Sequence, residues 1–175
     1  MSATTWYLAR SAGVVAYLLL TSSVLLGLLM AGKAPFTWPR FAVEEVHRFL
    51  GVLAGVFIVL HGGSLLLDRV VPIGLGQELV PFTTSYRPLA VGLGTCAAET
   101  VAAVGVTNAM RRQLPHRVWR RLHYLTLPAW LLATVHCALA GTDAGEPWLA
   151  GLAAGSVAAV ALAAWARFSG AVVRA

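Results

Sequence analysis

The sequence predicts an all-α membrane protein, a bundle of about five transmembrane helices forming one domain over residues 1–175. Three observations predict it. Charged residues make up only 11% of the chain and hydrophobic ones 58%, with a mean hydropathy of +0.75; soluble domains carry about 25% charged residues. Five apolar runs each approach the roughly 20 residues needed to cross a hydrocarbon core about 30 Å thick. Between them lie only short segments, too small for a further soluble domain such as a nucleotide-binding unit of roughly 100 residues.

The first run, Arg10 to Ala31, is apolar from Gly13 onward. It exceeds the roughly 7–15 residues of a signal-peptide core and has no basic lead beyond Arg10, so it reads as a retained helix. The second runs from Glu44 to Leu67, after a loop with Lys33, Pro35, Pro39 and Arg40. The third covers Pro88 to Ala109. It follows a long apolar loop, Asp68 to Arg87, in which Pro72, Gly74, Gly76 and Pro81 alternate with Ile73, Leu75, Leu79, Val80, Phe82 and Tyr86. Such a loop belongs in the membrane interface or folded over the bundle. The fourth covers Trp119 to Ala140, after a segment with Arg111, Arg112, Pro115, His116 and Arg117. The fifth runs from Pro147 to Phe168, after Asp143 and Glu146. Trp6, Trp38, Trp119 and Trp148 fall near helix ends, where an aromatic belt belongs.

Cationic residues orient the bundle. Lys33, Arg40, Arg48, Arg111, Arg112, Arg117, Arg120, Arg121, Arg167 and Arg174 fall on one side, and only Arg10, Arg69 and Arg87 on the other. Basic loops stay cytoplasmic, which puts the N-terminus outside and the C-terminus inside. The net charge of +6 and pI near 10.2 follow from this bias and from anionic lipid, not from nucleic acid. The expected location is a cell membrane, as a multi-pass protein of the bacterial inner-membrane kind. Cys96 and Cys137 lie in apolar runs, as small buried side chains rather than a disulfide or zinc site.

Four histidines sit inside these runs. His47 and His61 are 14 apart on the second, and His123 and His136 are 13 apart on the fourth. Each pair spans roughly 20 Å of helix. The two helices are separated by one span and therefore run parallel. His47 and His123 share the inner level; His61 and His136 share the outer one. Intramembrane histidines are costly and mark functional sites, and imidazole is an axial ligand of haem iron. Two stacked bis-imidazole sites would form a transmembrane electron path.

The helical phase fits the first pair better than the second. At about 100° per residue, 14 residues return to within about 40° of the starting face, while 13 leave about 140°. Pro128 lies between His123 and His136 and can kink or rewind the helix. Gly51, Gly55, Gly62 and Gly63 lie near the second-helix histidines, where missing side chains admit a flat ring or simply pack a neighbouring helix.

The run Arg117-Val118-Trp119-Arg120-Arg121-Leu122-His123-Tyr124-Leu125, followed by Trp130 and His136, resembles the haem-binding helix of the ferric reductase-like transmembrane domain family. The helix with His47 and His61 resembles that family's other haem helix. Val80-Pro81-Phe82, Tyr86-Arg87-Pro88 and Gly92-Leu93-Gly94 resemble its loop and third helix. The family includes iron reductases, superoxide-generating oxidases and the haem membrane subunit of a bacterial methionine sulfoxide reductase system. The resemblance implies two b-type haems and outward electron flow. The chain has no flavin or nicotinamide domain, so FAD or FMN would enter only through a partner flavoprotein, with membrane quinol as the other donor. The acceptor would be ferric iron or a periplasmic partner reductase.

Cationic side chains would offset the charge of haem propionates. Arg48, Arg120 and Arg121 are the inner candidates; Arg69 and Arg87 are the outer ones. Glu99, mid-way along the third helix, is a proton relay, a partner of a ligand histidine, or a protonated acid bonded to a neighbouring helix. His116, in the basic loop, reads as solvated. The rival reading is a redox-inactive transporter or sensor whose histidines bind a transition metal ion.

Overall fold

The computed structural model describes residues 3–67, 73–141 and 145–169. Among them are seven helices and no strand: α1 (Ala3–Ala31), α2 (Arg40–Leu66), α3 (Leu75–Leu79), α4 (Pro88–Ala109), α5 (His116–His123), α6 (Thr126–Ala140) and α7 (Pro147–Ser169). Five spans are long and apolar enough to cross a membrane: α1, α2, α4, α5 with α6, and α7. The protein is a multi-pass, all-helical membrane bundle.

α1 is the hub. It packs against α2, α6 and α7, while α4 packs against α6. Tyr17, Leu20, Val24 and Leu28 recur at helical spacing on one α1 face and meet Ala54, Trp130, Val160 and Ala163 in a single buried cluster. Two polar contacts fix that packing. Trp130 Nε1–H donates to Thr21 Oγ1 at 2.9 Å, and Thr134 Oγ1 donates to the Tyr17 hydroxyl at 3.2 Å. Without lipid-excluded water to satisfy them, such groups need partners within the protein. α2 packs chiefly on α1 rather than along α6, and the space between α2 and α6 is termed the slot.

The helix ends differ from the sequence-based boundaries in instructive ways. α1 begins well before Arg10, because the Arg10 guanidinium lies over the Trp6 ring (4.9 Å) and the Trp148 ring (5.8 Å). An amphipathic collar of this kind continues the helix into the interface. α2 begins at Arg40 rather than Glu44, directly after Pro39, with an Arg40–Glu44 contact of 3.3 Å across its first turn. α4 and α7 start on Pro88 and Pro147, where a missing N–H costs nothing.

The fourth span is not one helix. It is broken at Tyr124–Leu125, between α5 and α6. Pro128 explains the break. In a continuous helix its N–H would bond the Tyr124 carbonyl, and its ring would collide with that carbonyl. Instead Leu127 N–H reaches back three residues to the Tyr124 carbonyl at 3.1 Å, and Leu125 N–H bonds the Leu122 carbonyl at 3.0 Å. These are tight turns, with about 120° per residue in place of about 100°. The tightening advances the chain and moves His136 back toward the side His123 faces.

The long loop folds onto the helix ends from residue 73 onward; Asp68 to Pro72 lie outside the described residues. α3 packs on α4. The Phe82 ring lies where a Cβ on Gly92 would be, and the Glu78 carboxyl lies where a Cβ on Gly62 would be. Phe82 adopts a left-handed backbone (φ 66°), a conformation costly for a bulky residue.

Candidate functional site: two facing histidine pairs

α2 carries His47 in its second turn and His61 near its far end; α5 ends on His123, and α6 carries His136 near its far end. The rings meet across the slot in two pairs. His47 and His123 have ring centroids 5.9 Å apart with planes at 72°. His61 and His136 stand 6.2 Å apart at 76°. The two levels are about 21 Å apart along α2, from 14 residues at about 1.5 Å each.

The backbone of neighbouring helices aims three of the four rings. His61 Nδ1–H donates to the Ala9 carbonyl at 2.7 Å, and His47 Nδ1–H to the Ser23 carbonyl at 2.9 Å, with Ser23 Oγ also 3.2 Å away. His136 Nδ1–H donates to the Ala90 carbonyl at 2.7 Å. Such a bond fixes the tautomer and leaves the Nε2 lone pair for a metal.

Four residues after each of these carbonyls stands a glycine: Gly13 after Ala9, Gly27 after Ser23, Gly94 after Ala90. Each seats the ring bonded one turn earlier. A Cβ on Gly94 would lie 2.5 Å from His136 Nδ1; on Gly13, 3.0 Å from His61 Nδ1; on Gly27, 3.4 Å from His47 Cε1. The glycines nearest the histidines in sequence are not the seats. Gly55 and Gly63 face open space, Gly51 faces Ser23 Oγ, and Gly62 faces Glu78. A signal for the true seats was present. Gly13 and Gly27 are 14 apart on α1, the same interval as His47 and His61 on its antiparallel neighbour.

His123 differs. Its Nδ1 is buried with no hydrogen-bond partner among the described residues, and so is the indole nitrogen of Trp119. The two rings stack at 5.3 Å and 22°.

The expected cationic partners sit on the periphery. Arg48 is exposed and paired to Glu45 at 2.6 Å. Arg120 and Arg121 are exposed on α5. Arg87, left-handed at φ 41°, donates to the carbonyls of Leu139 (3.0 Å) and Ala140 (3.4 Å) and so caps the end of α6. Arg69, Asp143 and Arg174 lie outside the described residues. Glu99 is exposed on α4, with no hydrogen bond among the described residues to a neighbouring helix. His116 is exposed and lies 5.6 Å from the Trp119 ring. Glu78 Oε2 is buried without a partner among the described residues, and burial raises its carboxyl above the usual carboxylate range.

The donor set limits what the pairs can bind. Among the described residues, no three of His, Cys, Asp and Glu converge on a point. Two imidazoles alone are too few for tetrahedral zinc, which takes three or four protein ligands. A metal–imidazole bond is about 2 Å, and the ring centre lies about 1 Å beyond the nitrogen, so two imidazoles on opposite faces of one ion stand about 6 Å apart. Both observed spacings match that value.

A family model described as Domain of unknown function (DUF8596) matches residues 4–143. The chain belongs to that family. The matched region runs from α1 to the end of α6 and contains the four paired histidines and their three glycine seats; α7 lies beyond it. No curated protein and no solved structure matches the chain.

Proposed function

We propose that this protein conducts electrons across a membrane through two b-type haems, one held by His47 with His123 and the other by His61 with His136. The observation that carries the reading is the spacing of the facing rings, 5.9 and 6.2 Å, at two depths of one slot. A porphyrin brings four nitrogens of its own, so two protein ligands complete its iron. That suits a site with only two converging imidazoles. When bound, each iron supplies a one-electron couple.

The chain's own residues do the rest. The carbonyls of Ala9, Ser23 and Ala90 hold three imidazoles in one tautomer and make them better donors. The basic-residue bias places the His47–His123 level on the cytoplasmic side, facing a quinol or partner flavoprotein. The His61–His136 level then faces outward under the 73–87 loop, toward ferric iron or a partner reductase. The resemblance to the ferric reductase-like transmembrane domain family supports the same direction of flow.

A reduced-minus-oxidised visible spectrum of the purified protein tests this. Sharp haem b bands are expected, and His61→Ala or His136→Ala should remove one haem's share while the protein remains inserted. Full absorbance in both variants would falsify the pairing. A colourless protein that binds zinc or copper would favour the transition-metal reading instead.

A further inference from the structure

The two histidine levels are built unequally. Three rings have an Nδ1–H bond to a backbone carbonyl and a glycine seat; among the described residues His123 has neither. His123 is carried on a separate piece of chain. It is the last residue of the eight-residue α5, immediately before the Tyr124–Leu125 break, whereas His136 lies inside α6. Its ring rests on the face of Trp119, and stacking does not fix rotation in the plane.

Metal-ligating histidines gain about 10- to 100-fold in affinity from the hydrogen bond that His123 lacks. We propose that His123 is the exchangeable ligand of its pair: at the His47–His123 level a small diatomic molecule displaces it, while the His61–His136 level stays closed. This rests on the haem reading above. The exchange is a substitution. The bond from the metal to His123 Nε2 breaks, the bond to the entering molecule forms, and no electron or proton changes hands. The freed imidazole stays against Trp119. Such a site would let a dissolved gas hold back electron entry at one end of the path.

Carbon monoxide is the probe, added to the full-length, haem-loaded, reduced protein in detergent. The wild-type difference spectrum needs no variant. Half of the haem absorbance should shift. His123→Ala should keep both haems and bind carbon monoxide at least 10-fold more tightly, whereas His47→Ala should lose half the haem. A wild-type spectrum unchanged by carbon monoxide overturns the proposal and leaves the haem reading standing. A shift of all the haem, or equal haem loss from His123→Ala and His47→Ala, overturns it too. A protein that takes up no haem at all removes the reading on which it rests.

Discussion

Replacing Gly94 by alanine should empty the His61–His136 level, and the structure sets the size of the effect. A Cβ there would stand 2.5 Å from His136 Nδ1, 2.7 Å from Cε1 and 3.0 Å from Cγ. These atoms belong to a ring, so no flexible end can swing aside. Ordinary contact requires about 3.4–3.5 Å, so the ring must retreat by about 1 Å. That stretches the 2.7 Å bond to the Ala90 carbonyl to the edge of any hydrogen-bond criterion. A lost orienting bond lowers metal affinity about 10- to 100-fold, and leaving Nδ1–H unpaired costs about 1–3 kcal/mol. Alanine is otherwise favoured over glycine in a helix by up to about 1 kcal/mol, so general helix weakening cannot explain a loss. The graded contacts supply internal controls. Gly13→Ala, at 3.0 Å, should disturb His61 less; Gly27→Ala, at 3.4 Å, should be tolerated; Gly55→Ala, facing open space, should be silent. The assay is haem per protein from visible absorbance, with thermal unfolding alongside. If Gly94→Ala keeps wild-type haem, or if Gly27→Ala proves the more damaging, the glycine-seat reasoning is wrong.

Two further predictions concern stability. Burial raises the Glu78 carboxyl in the folded protein, so the folded state binds its proton more tightly than the unfolded chain does. Stability from this group is therefore full below the unfolded value and falls as pH rises toward the folded one. Glu78→Gln should raise the thermal midpoint at neutral pH and make no difference at low pH; a midpoint lowered at neutral pH would show that the carboxylate is stabilising. Trp130→Phe removes the buried donor to Thr21 Oγ1 while keeping most of the packing. It should cost about 1–2 kcal/mol, read as a lower melting midpoint, and combining it with Thr21→Val should recover part of that loss.

The sequence by itself determined the layout of the bundle. Apolar run length fixes the number of crossings, because the hydrocarbon core has one thickness. The intervals between His47 and His61 and between His123 and His136 named the four rings and paired them across two levels, because rise per residue converts sequence distance directly into depth. Rotation about a helix axis is not read so directly. The mismatch of His136 was legible only as a discrepancy; the break at Tyr124–Leu125 reduces it, and that break depends on which carbonyl the missing Pro128 N–H leaves to be satisfied. Arg87 was legible as an unusual cation, but its partners are carbonyls 52 and 53 residues away. Gly13, Gly27 and Gly94 look like any small residues of a membrane helix until a neighbour's ring is laid against them. The missing anchor on His123 is an absence, and no residue type announces an absence. Contacts between helices depend on which faces meet, and only the tertiary structure decides that.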